Sequence, residues 1–287
     1  MHSRSLLSFG LVAVALAFVM TRDPFTSRSP RALGAFGRGP TIVLVHGLGS
    51  RATHWLGVAR DLARDHRVVL AELPGHGLAS MPANLALDDA ALALDRQIAE
   101  YGDEPVVLVG HSVGGLVAAA EALRSPRRVR ALVLVETALR PQLGSADREA
   151  LLASLDADYA GTLRVVYESF GRDSVQGAAL AREACAMEPA TMRAWVRIAT
   201  GTDMAGRVRE LRVPLLVVLS DRSWPTDELW PACADSLGYT GLPQAQPLRF
   251  EGAGHFVMLD RPHDLAAAIR RFAHGSLPEL ALASATR

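Results

Sequence analysis

The sequence predicts an α/β fold, a mostly parallel, doubly wound sheet with a block of helices inserted between two of its strands. Three observations carry this reading. Short apolar or β-branched runs alternate with helix-compatible stretches over most of the 287 residues, as crossover helices on both faces of a parallel sheet require. The alternation stops between Glu136 and Val213, where only helical patterns occur. One strand, moreover, ends in Gly110-His111-Ser112-Val113-Gly114, directly before a helical stretch.

Strands are expected at 41–45, 67–71, 105–109, 131–136, 213–219 and 247–251, each a short run of β-formers. Helical patterns lie between them at about 53–64, 87–101, 114–124 and 227–237, and another closes the core at 262–273. The inserted block reads as helices at 145–157, 159–170, 174–186 and 189–200. The core is thus expected to occupy 41–138 and 206–274, with an insertion at 139–205 and a loose tail at 275–287.

Thirty basic residues balance thirty acidic ones, and 49% of the chain is hydrophobic. That suits a packed core and marks no basic stripe for a nucleic acid. Two cysteines, Cys185 and Cys233, are too few for a disulfide framework. No C-x-x-C or H-E-x-x-H pattern points to a metal site, and no cofactor is expected.

The first twenty residues stand apart. Arg4 precedes an uncharged apolar run, Leu6 to Met20, with Ala15-Leu16-Ala17 as a small-x-small cleavage motif. The run has the length of a signal-peptide core. Export, or membrane attachment through residues 5–20, is the expectation, and 21–40, rich in Pro, Gly, Ser and Arg, reads as a linker.

The G-x-S-x-G segment follows the run Val106 to Val109 and precedes Leu116 to Leu123. A serine on so sharp a turn needs neighbours without a Cβ, because backbone segments approach closely. The turn exposes the Ser112 hydroxyl and sets the Val113 N–H at a helix start, where developing negative charge is stabilised. With Thr41 to Val45 leading into His46-Gly47-Leu48-Gly49-Ser50, with Leu73-Pro-Gly-His-Gly77, and with Gly252-Ala-Gly-His255-Phe-Val, the chain resembles the α/β-hydrolase superfamily over roughly residues 40 to 274. The resemblance implies that the inserted helices cap an active site.

Ser112 is then the expected nucleophile and His255 its base, in the order Ser…acid…His that this fold uses. His46 and His76 sit in turns that an imidazole braces, and His111 lines the cleft or packs beside the nucleophile. His54, His66, His263 and His274 fall in helical or surface stretches and carry no expected role. For the acid, the resemblance points to a G-x-x-D turn after strand 213–219. Ser220 and Ser223 occupy the glycine and aspartate positions there, and a loop shortened by two residues restores Asp221. Asp221 is the first choice, Glu136 at the end of Val-Leu-Val-Glu-Thr the alternative, and Asp227 and Asp260 are remote ones. The oxyanion hole is expected from the backbone N–H groups of Leu48 and Val113.

The expected activity is hydrolysis of a carboxylic ester of a small acyl substrate through an acyl-enzyme. Thioester, lactone, carbon–carbon and perhydrolysis chemistry need the same residues, and a non-catalytic binding protein of this fold is the alternative from another class. A serine at 112 disfavours the dehalogenases and epoxide hydrolases of the superfamily, which carry an aspartate there.

Overall fold

The structure, a computed structural model, describes residues 32–275. The expected signal segment, 21–31 and 276–287 lie outside the described residues. Among the described residues no helix is long and apolar enough to cross a membrane.

One sheet organises the chain. Its seven strands are β1 (Gly34–Phe36), β2 (Thr41–Val45), β3 (Arg67–Ala71), β4 (Val106–His111), β5 (Val129–Val135), β6 (Leu215–Ser220) and β7 (Ala245–Phe250). They lie in the order β1-β3-β2-β4-β5-β6-β7, and all neighbours run parallel except β1, which is antiparallel to β3. β1 falls inside the stretch read as a linker; three residues are too few to show a period of two. β2, β4 and β6 are buried along their whole length, as strands covered on both faces must be. β7 is an edge strand, where Pro247 is tolerated because its missing N–H removes no bond from a central ladder.

The period of two sends alternate residues to opposite faces. Val43, Val45, Leu132, Leu134 and Val217 pack with α2 (Leu87–Ala99), α3 (Val113–Arg124) and α8 (Trp230–Leu237). Ile42, Leu44, Val133, Val135 and Val218 pack with α1 (Leu56–Leu62) and α10 (Pro262–Ala273) on the other face. On α2 the buried residues Leu87, Ala90, Ala91, Leu94 and Ile98 keep the spacing of one helical stripe. The expected helix at 53–64 is a 3₁₀ turn, Ala52–Trp55, followed by α1.

Between β5 and β6 the chain forms α4 (Ser145–Ala157), α5 (Tyr159–Glu168), α6 (Ser174–Cys185) and α7 (Pro189–Gly201). Three of these starts have a visible cause. The side chains of Asp158, Asp173 and Glu188 accept from the N–H groups of Gly161, Gln176 and Thr191, and Pro189 stands in the first turn of α7. Trp195 of α7 is fully buried and donates its indole N–H to the Pro74 carbonyl at 2.9 Å. That bond fastens the inserted helices to the core.

Ser112 is the sole residue between β4 and α3. Such a turn leaves no room for side chains around it. A Cβ on Gly110 would lie 2.5 Å from the Gly114 carbonyl oxygen, and one on Gly114 would lie 2.1 Å from that of His46. Gly114 is in the first turn of α3, where helix propensity alone favours alanine by roughly 0.5–1 kcal/mol. The contact with backbone outweighs this, because overpacking against groups that cannot move costs roughly 1–3 kcal/mol or more. Gly114→Ala is therefore expected to lower the melting temperature by several degrees, measured by thermal unfolding. A melting temperature at or above that of the parent would show that the turn relaxes without cost.

Candidate active site

The backbone of Ser112 is held at φ 52, ψ −125, a conformation that non-glycine residues rarely adopt. Three bonds fix it. The Ser112 N–H donates to the Val135 carbonyl at 2.9 Å. Its carbonyl accepts from the Gly115 N–H at 2.9 Å and from the Thr137 hydroxyl at 3.1 Å. Val113 then opens α3, where the first N–H groups have no intrahelical acceptor.

Ser112, His255 and Glu136 line one cavity of about 510 Å³ at the carboxyl ends of β4, β5 and β6, where open parallel sheets build their sites. His255 stands between β7 and the short helix α9 (Val257–Asp260). Its Nδ1 lies 3.1 Å from Glu136 Oε2. Glu136 is buried, and its own φ is 50. The Ser220 N–H donates to its Oε1, and the Ser223 hydroxyl donates to Oε2 at 2.8 Å. The carboxylate is thus closed in by donors, while His255 Nε2 makes no hydrogen bond among the described residues.

This arrangement corrects the expectation for Asp221. Its Oδ2 accepts from the Gly252 N–H at 2.7 Å, three residues short of the imidazole. The shortened loop that would have brought Asp221 to His255 does not form; Ser220 completes β6 and Ser223 turns onto Glu136. The Asp260 side chain is only 1% exposed. It accepts from the Gly254 N–H at 2.8 Å and from Gln176 Nε2 on α6 at 2.7 Å. Asp221 and Asp260 therefore brace the histidine loop on either side of Ala253, while Asp227 is exposed.

The loop His46–Ser50 runs beside Ser112. A Cβ on Gly47 would lie 3.1 Å from Ser112 Cβ. This places Leu48 and Val113, the expected oxyanion donors, on the two segments that meet at Ser112. The Gly49 N–H donates to His76 Nε2 at 3.3 Å. The inserted helices hold the same loop, because the Tyr167 hydroxyl of α5 donates to the Leu48 carbonyl at 2.8 Å. Phe170, just past α5, lies against His255 with ring centroids 4.6 Å apart. Phe170, Tyr167 and Thr137 carried no sequence signal, since each acts through a partner remote in the chain.

The remaining histidines sort by burial. His46 Nδ1 contacts the Gly47 carbonyl at 2.8 Å and Nε2 lies 3.1 Å from Glu72 Oε2, so it braces the loop as expected. His111 is buried beneath the site and its Nε2 donates to the His255 carbonyl at 2.8 Å. His54 and His66 are buried rather than superficial. His54 Nδ1 accepts from the Ser50 hydroxyl at 2.8 Å, and its Nε2 lies 2.7 Å from Glu183 on α6. Asp65, His66 and His274 gather away from the Ser112 cavity in a group of metal-ligand type. Arg270 Nε, 3.0 Å from Asp65 Oδ2, already supplies a cation there. Cys185 and Cys233 are both free thiols.

Burial, foremost, holds His76 and His111 well below the ordinary imidazole range, with His46 and His255 adding repulsion. Both stay neutral in the fold and take up protons on unfolding below about pH 6.5. The unfolded state then binds more protons, so stability falls as pH drops, by up to about 1.4 kcal/mol per pH unit for each. Glu121 on α3 opposes this. Burial raises its carboxyl to about 7, so the fold keeps a proton that the unfolded chain loses between about pH 7 and 4.5. Urea titrations should show stability declining below pH 6.5, and more steeply in Glu121→Gln. A profile flat from pH 7 to 5 in that variant would contradict the buried neutral imidazoles.

The profile of the Alpha/beta hydrolase family matches residues 42–268. A pimeloyl-[acyl-carrier protein] methyl ester esterase from Aromatoleum aromaticum is 33% identical over 260 residues, covering 82% of this chain and 99% of that protein. Polyketide synthase ThaQ from Burkholderia thailandensis is also 33% identical, over 249 residues, but the chain spans only 12% of its length. A hydrolase from Oleispira antarctica superposes with a TM-score of 0.75 at 16% identity, covering 85% of this chain and 95% of that one. An esterase from Thermogutta terrifontis superposes with a TM-score of 0.69 at 23% identity, covering 85% and 92%. Sheet order, strand–turn–helix serine and profile agree over the same residues, and this chain belongs to the alpha/beta hydrolase family.

Proposed function

We propose that the chain is a serine hydrolase that cleaves a carboxylic ester through an acyl-enzyme intermediate. The observation that carries this reading is the convergence of Ser112, His255 and Glu136 on one cavity, with His255 Nδ1 3.1 Å from Glu136 Oε2. The likeness to a methyl ester esterase over nearly its full length supports the ester class.

In this reading Ser112 Oγ attacks the ester carbonyl while His255 Nε2 takes its proton. Glu136 accepts Nδ1–H, which keeps the free lone pair on Nε2 and stabilises the imidazolium as it forms. The carbonyl oxygen becomes an oxyanion against the N–H groups of Val113 and Leu48, worth roughly 10²–10³ in rate per donor. His255 then protonates the leaving alkoxide, and water attacks the acyl-enzyme by the same steps in reverse.

Ser112→Ala is expected to abolish labelling by a fluorophosphonate and nearly all hydrolysis of p-nitrophenyl esters. Glu136→Gln should lower kcat by about 10²–10⁴-fold, because an amide cannot stabilise the imidazolium, whereas Asp221→Asn should act mainly through the histidine loop and cost far less. Normal turnover by Ser112→Ala would refute the mechanism. A loss confined to Asp221→Asn would return the acid to β6.

We also infer, from the apolar run Leu6 to Met20 alone, that the chain is exported or membrane-anchored through residues 5–20. Fractionation of the full-length protein tests this. Recovery as an uncleaved cytosolic chain would refute it, and deletion of residues 1–31 should leave esterase activity intact.

A further inference from the structure

The cavity that holds Ser112 and His255 is bordered by two further charged groups, Arg140 beyond β5 and Arg222 beyond β6. Both guanidiniums are held by backbone carbonyls instead of carboxylates. Arg140 donates to the Asp235 carbonyl at 2.9 Å, while the Asp235 carboxylate accepts from Thr240. Arg222 donates to the Ser169 carbonyl at 2.7 Å and lies over the Phe170 ring, 5.0 Å from its centroid. Among the described residues neither forms an ion pair. The one carboxylate lining the cavity, Glu136, is closed in by Ser220, Ser223 and His255. The cavity therefore presents two positive charges that no described residue neutralises.

Such charges raise the local concentration of anions and orient them. A guanidinium also carries a planar fork of donors that matches a carboxylate. Each arginine gives one hydrogen bond to a carbonyl, which limits its rotation and leaves other N–H groups of the fork open. Arg222 Cζ and the His255 ring centroid lie 5.0 Å and 4.6 Å from the Phe170 centroid. Arg222 thus lies no further from the imidazole than these two spacings together, a span within reach of a short dicarboxylic acid.

We propose that the ester this site takes carries a free carboxylate at the far end of its acyl chain, with Arg140 and Arg222 as its receivers: a half-ester of a short dicarboxylic acid. The proposal rests on the ester-hydrolase reading. The reaction stays an ordinary hydrolysis, in which water and the half-ester give the dicarboxylic acid and the alcohol, and the distant carboxylate takes no part in bond making. Its attraction to the arginines would set the acyl chain across the cavity with the ester carbonyl at Ser112. A neutral ester gains nothing from these two charges.

The test compares kcat/KM for monoethyl and diethyl esters of succinate, glutarate and adipate, with p-nitrophenyl butyrate as the neutral reference. The expected result is a preference for at least one monoethyl ester over its diethyl counterpart. The preference should shrink as salt is raised. It should fall on the order of tenfold for each of Arg140→Gln and Arg222→Gln, given the size of a single charge contact. Arg222→Lys, which keeps the charge and loses the planar stack, should retain more of the preference than Arg222→Gln. Cleavage of the neutral esters with no preference for the half-esters, or a preference unmoved by both glutamine variants, would overturn this inference and leave the hydrolase reading standing. Cleavage of none of them, with no fluorophosphonate labelling, would remove both.

Discussion

Two neighbouring strands end in backbone that L-amino acids rarely adopt, and the site is built on that constraint. Ser112 after β4 has φ 52 and Glu136 after β5 has φ 50. Each such residue costs of order 1–3 kcal/mol, so the surroundings must hold it. Strand pairing does much of this, because the Ser112 N–H is bonded to Val135 and the Glu136 N–H to Val218. Ser112, Glu136 and the strand between Glu136 and His255 are thereby linked in one ladder. The glycines at 110, 114 and 115 are the other half of the arrangement, since a Cβ at any of them would meet atoms at 2.5 Å or less.

The inserted helices are more than a cover. Through Tyr167 they fix the carbonyl of Leu48, and through Gln176 they reach the aspartate that braces the histidine loop. Phe170 lies against the imidazole itself. A displacement of α5 and α6 would therefore disturb the loop beside Ser112 and the His255 imidazole together. Trp195 and Glu183 limit that movement by tying the insertion to Pro74 and His54.

Much of this was legible in the sequence because it is local. A strand, a glycine-flanked serine and a helix occur within a dozen residues, and the six parallel strands carry runs of β-formers long enough to show. The choice of acid was of another kind. Asp221 and Glu136 both end strands, and which one meets His255 depends on how Ser220 and Ser223 turn, a matter of tertiary geometry. The Asp260 side chain is buried because Gln176 and Arg172 of the insertion cover it. His54 likewise owes its burial to α6. β1 was missed since three residues show no period, and α1 was read too long because a 3₁₀ turn and an α-helix share the same apolar spacing at this length.

Ser223 stands where the resembled superfamily often carries its acid, and here its hydroxyl donates to Glu136. The two positions converge on one point in space from adjacent strands. An acid can thus pass from one strand to the other over evolutionary time without moving the serine or the histidine. The route through a chain with neither carboxylate loses the partner of the imidazole, whereas the route through both requires two like charges to share one small space, a state open to a species that holds one proton between them. Lineages that crossed would keep the same constellation while breaking the motif by which it is recognised. A reading that demands an aspartate after β6 would class such chains as inert.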